Sequence, residues 1–225
     1  MNLAVLFSGG KDSALAWFYA LQAGYKVKCL ITLVSANPYS WMFHTPNTDL
    51  TCFHAKAADI ALITKKTHGE KEKELSDLKK AIKEAKANYD IQGIITGSVA
   101  SAYQASRIQR ICKQLDVECF NPLWQLNQFQ LLKQLIKHKF RVIITGIFAE
   151  GLHGLIGKMI NPHTLKEIKR LYEKYKINPA GEGGEFETFT LDTPFFKYRL
   201  KIKERELIKH DSNLMLRLKV GLVKK

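Results

Sequence analysis

No segment of this 225-residue chain is apolar for long enough to cross a membrane as a helix. A secretory leader, with its charged start and small-residue cleavage site, is missing from the opening residues, which read at once as a strand. A cytoplasmic protein with no membrane attachment is expected. Cysteine is scarce: Cys29, Cys52, Cys112 and Cys119 fall in four different predicted elements, with no CxxC and no zinc-finger spacing. That excludes a disulfide scaffold and a zinc module and leaves buried thiols. There is no internal repeat and no low-complexity segment, so solenoid and tail-like organisations are excluded as well. Acidic residues are few beside basic ones, 21 against 35, for a formal net charge of +14. Clustered cations neutralise phosphates. Here, however, most are lysines at helical spacing, as in "EKEKELSDLKKAIKEAK", where Glu and Lys neighbours mark a solvated face. Nucleic acid is a partner that the charge permits without favouring.

What is present is alternation. Strand-like runs over residues 2–7, 26–34, 60–66 and 93–96 are separated by helical patterns over 12–23 and from about 49, 70 and 102. This order predicts an α/β fold, a Rossmann-like parallel sheet with helices on both faces and ligand sites at the carboxyl ends of its strands. After "NPLW" (121–124) come a helix, a strand over 141–148, a glycine-rich stretch over 150–160 and a charged helix over 164–176. The remainder reads as a turn with antiparallel strands. A boundary near Trp124 divides the chain into domains 1–124 and 125–225, the second a smaller α+β unit. The segment 35–47 is one long loop beside the expected site, of a length that is often functional. Its His44 could reach a ligand or be merely solvated.

The stretch "VLFSGGKDSALAW" (5–17) runs from a buried strand through two glycines into a helix. Adjacent glycines cost backbone entropy and are kept where the chain takes positive φ or lets a ligand approach. A helix N-terminus adds unpaired N–H donors and partial positive charge, which attract phosphate. Lys11 in the first turn opposes the helix dipole, a placement that makes sense with an anion between them. Ser8 and Ser13 add hydroxyls, Gly9 and Gly10 the close approach, and Asp12 a cap or a ligand for a metal ion. The spacing is neither the Walker form nor GxGxxG.

Two further blocks carry chemistry. In "GSVASAYQASR" (97–107), Gly97 ends a strand, Ser101 is placed to cap a helix, and Tyr103, Gln104 and Arg107 follow in its first turns. Arg107 has the fork that matches phosphate oxygens. In "GEGGEFETFTLD" (181–192), a strand would point Glu185 and Glu187 to one face, where like charges repel unless a cation, metal or donor lies between them. Glu182 stands close behind on the glycine-rich turn, and the alternative is a solvated edge strand.

"SGGKDS" resembles the signature of the PP-loop ATP pyrophosphatases. Together with "TKKTHGEKEKE", "GSVASAYQASR" closing in "PLW", and "EGGEFETFTLD", the chain is similar over nearly its whole length to the diphthine–ammonia ligase (diphthamide synthase) family, in its short form. The resemblance implies the HUP, adenine nucleotide α-hydrolase-like fold, with residues 1–124 as ATP-binding domain and 125–225 as substrate-binding domain. It implies ATP and Mg²⁺, and AMP-forming amidation of diphthine on translation elongation factor 2 with ammonium, through an acyl-adenylate. Lys11, Arg107, Glu185 and Glu187 would be catalytic. Ser8, Gly9, Gly10, Lys11, Asp12 and Ser13 would bind the nucleotide, with Gly97, Ser101, Tyr103 and Gln104, and Asp12 would hold the metal. Glu182, Gly183, Gly184, Glu185, Phe186, Glu187 and Thr188 would bind the substrate, the acids and aromatic faces suiting a trimethylammonium group. No Cys-His-Glu arrangement suggests a glutaminase, so free ammonium is the expected nitrogen source. Homo-oligomerisation is left open, and the alternatives are a tRNA-modifying PP-loop ligase or a non-catalytic nucleotide sensor. One segment departs from the family pattern: "GLHGLIGKM" (151–159) has His153, Gly154 and Lys158 where acidic residues and a Gly-Arg pair are usual.

Overall fold

The computed structural model describes residues 1–35, 47–68 and 73–225. Most of the loop 35–47, with His44, and residues 69–72 of "TKKTHGEKEKE" lie outside the described residues.

Five strands, β1 (Asn2–Leu6), β2 (Lys26–Ser35), β3 (Ala61–Thr67), β4 (Gly93–Ile95) and β5 (Glu118–Phe120), form a parallel sheet in the order β3-β2-β1-β4-β5. Helices α1 (Lys11–Gln22), α2 (Thr51–Ala58), α3 (Lys73–Tyr89) and α4 (Ala102–Gln114) connect the strands. Strand residues alternate between two apolar clusters, as the period of two demands. Ala4, Cys29 and Ile31 face Leu78 and Ile82 of α3 and Ile108 and Ile111 of α4. Leu3, Val5 and Leu30 face the opposite way, toward Leu15 and Phe18 of α1.

That second cluster continues without a break into the rest of the chain, where α5 (Gln128–Lys137) leads to β6 (Arg141–Ile147) and α6 (Pro162–Tyr175) precedes β7 (Phe186–Asp192). Two long strands, β8 (Tyr198–His210) and β9 (Asn213–Lys224), follow as a hairpin. The four strands make an antiparallel sheet in the order β7-β6-β9-β8. Its join is narrow: β6 meets β9 only at Gly146↔Met215 and Ile147↔Leu214. Beyond that point the edge of β6 is taken by residues 157–160, through Gly157 N to Ile144 O (2.9 Å), Ile144 N to Lys158 O (2.9 Å) and Ile160 N to Val142 O (2.8 Å).

The residues that depart from the family pattern have local tasks. His153 Nε2 donates to the carbonyl of Ser212 in the β8–β9 turn at 2.7 Å, and Lys158 Nζ reaches both oxygens of Glu167 at 2.8 and 2.7 Å. Asn161 caps α6 by accepting from Thr164 N at 3.0 Å, so that helix begins with Pro162 at its favoured first position.

Candidate active site

The turn after β1 folds around its own hydroxyls. Gly10 N donates to Ser8 Oγ at 3.3 Å and Ser13 Oγ donates to the Gly10 carbonyl at 3.2 Å. Gly9 has φ +85°, which an L side chain rarely adopts, and a Cβ there would stand 3.2 Å from the ring of His54. Helix α1 starts at Lys11 with Gly10 as its cap and no side-chain cap bond. Asp12 therefore sits inside the first turn and is not the cap.

The second sheet holds this turn from behind. Lys11 N donates to Thr188 Oγ1 at 3.1 Å, and Thr190 N donates to the Gly9 carbonyl at 2.8 Å. His54 Nε2 in turn donates to the Thr190 carbonyl at 2.7 Å, with its ring packed against Phe7 and Phe189. Burial drives the His54 pKa down to about 4, so it is a neutral brace. Nothing in the sequence singled it out, because a lone histidine on a short helix carries no pattern.

The acids of the third block meet the lysine of the first. Lys11 is 3% exposed, and its Nζ lies 2.8 Å from Asp12 Oδ2 and 5.7 Å from the centroid of the Phe186 ring. Burial opposes its charge, but Asp12, Glu182 and Glu187 outweigh that, and its pKa is raised. Glu187 is pushed up to about 7, first by desolvation, then by Asp12 and Glu182 acting against the attraction of Lys11. Glu182 also rises to about 7, by desolvation and then Asp12, against Lys11 and an N–H from Ala100. One buried cation thus serves three carboxylates, two of which exchange protons near neutrality. Asp12 Oδ1 is buried with no partner. No group of three or more His, Cys, Asp or Glu that could hold a metal occurs among the described residues. A lone hard carboxylate oxygen still matches Mg²⁺, which commonly takes one or two carboxylates together with substrate phosphates and water.

Glu185 stands apart from Glu187. β7 begins only at Phe186, and Glu185 turns back to accept from Asn178 N (2.7 Å), Asn178 Nδ2 (2.8 Å) and Gly183 N (2.8 Å). It ties the glycine-rich turn, and it does not line the cavity in front of Lys11. Phe186 is 2% exposed and belongs to the core while also lining that cavity. Gly183 and Gly184 form its exposed lip, and Thr188 is the buried acceptor for Lys11 N.

From the first sheet, Gly97 packs so closely on α1 that a Cβ would come within 2.7 Å of Ser13 N. Ser101 caps α4, accepting from Gln104 N at 3.3 Å, and both line the cavity. Tyr103 and Arg107 do not line it: the guanidinium lies 3.5 Å over the Tyr103 ring. Cys112 and Cys119 are free thiols that also lie outside the cavity.

The cavity itself measures about 780 Å³. Ile31, Leu33, Leu78 and Ile108 make one end apolar, while Ser8, Lys11, Asp12, Ser13, Glu182 and Glu187 make the other polar and charged. Lys209, His210 and Asn213 reach it from the β8–β9 hairpin. The space therefore joins an anion cradle, an apolar slot suited to a flat base, and a pair of protonatable acids.

A family model described as the diphthamide synthase N-terminal domain matches residues 1–119, and one described as the diphthamide synthase C-terminal domain matches residues 127–222. The Bos taurus protein named diphthine–ammonia ligase is 30% identical over 236 residues, covering 95% of this chain and 87% of its own. The Schizosaccharomyces pombe protein of the same name is 30% identical over 237 residues, 98% of this chain and 39% of its own. A solved structure from Methanocaldococcus jannaschii, described as "predicted subunit of tRNA methyltransferase", overlays with a TM-score of 0.43 at 17% identity, covering 86% of this chain and 98% of its own.

Proposed function

The chain belongs to the diphthamide synthase family, and from that premise we propose that it amidates diphthine on translation elongation factor 2, using ATP and ammonium and releasing AMP and pyrophosphate. The observation that carries this reading is the meeting, in one cavity, of the "SGGKDS" turn with Glu182 and Glu187 of "EGGEFET". A nucleotide sensor needs the first and has no use for the second.

Ser8, Gly9, Gly10 and Ser13 hold the phosphates with the N–H groups of the first turn of α1. Lys11 counters the negative charge that grows on pyrophosphate as the carboxylate oxygen of diphthine joins the α-phosphate. Asp12, through Oδ1, would hold Mg²⁺, which supplies Lewis-acid neutralisation of the phosphate oxygens. Gly97, Ser101 and Gln104 shape the nucleotide side, next to the apolar slot for the base. Arg107 would have to leave Tyr103 to reach a phosphate, so its part is secondary to that of Lys11. Ammonium must lose a proton before its nitrogen can attack the activated carbonyl, and a second as the amide forms. Carboxylates poised near neutrality, Glu182 and Glu187, are proton acceptors matched to that task. They also offer the negative surface that draws the trimethylammonium end of diphthine, with Gly183 and Gly184 letting the side chain in and Glu185 fixing the turn. AMP with one carboxylate oxygen leaves as the C–N bond closes.

The test is incubation of the chain with ATP, ammonium and diphthine-bearing elongation factor 2, with bulk tRNA as the competing acceptor. The expected result is amide on the protein and AMP as spent nucleotide. ADP, or modification of the tRNA alone, overturns the reading.

A further inference from the structure

The divergence of β6 and β9 leaves an opening in the second sheet. It is a groove of about 660 Å³ whose lining includes Arg141, Arg199, Lys201, Arg205 and Lys224 and no carboxylate. Its floor is apolar, made by Ile143, Met159, Leu191, Leu200, Ile202 and Val223. Among the described residues none of these five cations is ion-paired. Arg199 Nε is buried without a hydrogen-bond partner, a state that costs free energy until an acceptor arrives. On the same hairpin but outside the groove, Lys219 is paired with Glu204 at 2.6 Å.

We propose that this groove docks an acidic stretch of polypeptide that carries apolar side chains. That the stretch is part of the protein being modified rests on the ligase reading. The charge selects acidic residues, and the apolar floor asks for aliphatic side chains between them. No aromatic ring lines the groove, so the stacking platforms that single-stranded nucleic acid uses are absent. Position argues the same way. Along β8 from Arg205 at the groove to Ile208 at the cavity is three residues, about 10 Å at strand rise, so one segment of a protein acceptor can lie in the groove while its modified residue enters the cavity.

The experiment uses the full chain without ATP or ammonium and follows the fluorescence anisotropy of a labelled octapeptide of glutamate and leucine. Lys201→Glu with Arg205→Glu, both at exposed positions, should weaken binding at least tenfold. Lys83→Glu with Lys113→Glu, an equal change of charge at exposed positions on α3 and α4 beside the first sheet, should leave it unchanged. In the amidation assay the groove pair should raise KM for the protein acceptor with kcat retained. The proposal falls if the peptide does not bind, if both charge-reversed pairs lose affinity equally, or if a single-stranded RNA dodecamer displaces the peptide from the groove. A chain that binds the peptide as described yet amidates nothing would overturn the ligase reading and leave the groove standing.

Discussion

Replacing Glu187 by Gln should make the ligand-free protein more stable at pH 8. The carboxyl is raised from 4.5 to about 7, chiefly by desolvation. The folded chain therefore holds this proton more tightly than the unfolded chain does, and stability present below about pH 4.5 is lost as the pH rises through 7. At about 1.4 kcal/mol per pKa unit the full cost at pH 8 is roughly 3 kcal/mol, and halving it for solvent at the cavity mouth leaves about 1.5. Glutamine keeps the shape and the acceptor oxygen but has no charge to desolvate. For a chain of this size about 1.5 kcal/mol corresponds to roughly 3–6 °C in Tm. Calorimetry at pH 8 and pH 4.5 reads it: the variant should melt higher at pH 8, with the advantage nearly gone at pH 4.5, where the wild-type carboxyl is protonated in the folded state. An equal gain at both pH values, or a loss at pH 8, would refute an uncomfortable acid facing Lys11.

Glu185→Gln should act in the opposite sense, destabilising by about 1–3 kcal/mol because one of three N–H donors loses its acceptor; denaturant unfolding measures this, and nucleotide titration should show ATP affinity nearly untouched. Lys11→Ala should abolish pyrophosphate release while the far-ultraviolet spectrum stays native, and retained turnover would remove Lys11 from the chemistry. Gly97→Ala forces a methyl against the backbone of Ser13 and Asp12; we expect about 1–3 kcal/mol of lost stability and weakened ATP binding together, read by calorimetry and titration.

The parallel sheet was legible because its apolar runs and separating helices follow the two periods without conflict. The glycine turn was legible in its position, between the first strand and the first helix. What stayed hidden was set by contacts distant in sequence. β5 is three residues long, too short to show alternation. The tail strand β9 (Asn213–Lys224) was not separated from β8, since both mix basic and aliphatic residues. Same-face spacing predicted a pair of acids at 185 and 187. The strand begins one residue later than that pairing needs, and the local N–H donors of Asn178 and Gly183 claim Glu185. Glu182, placed close behind on the turn, is instead the acid that joins Glu187 around Lys11. Arg107 was chosen for its fork, and only the stacking on Tyr103, invisible in a linear string, takes it off the cavity wall.

The bond from Lys11 N to Thr188 Oγ1 joins residues 177 apart in the chain. On a ribosome making about 5–20 residues per second, that partner follows the loop by roughly ten to thirty seconds. The first sheet can collapse in the meantime, but its phosphate turn must wait with Gly9 and Lys11 lacking their partners from β7. On the proposed reading, nucleotide capture waits for β7: a nascent chain halted before residue 188 would have the signature and no working cradle, and would not sequester ATP while still tethered.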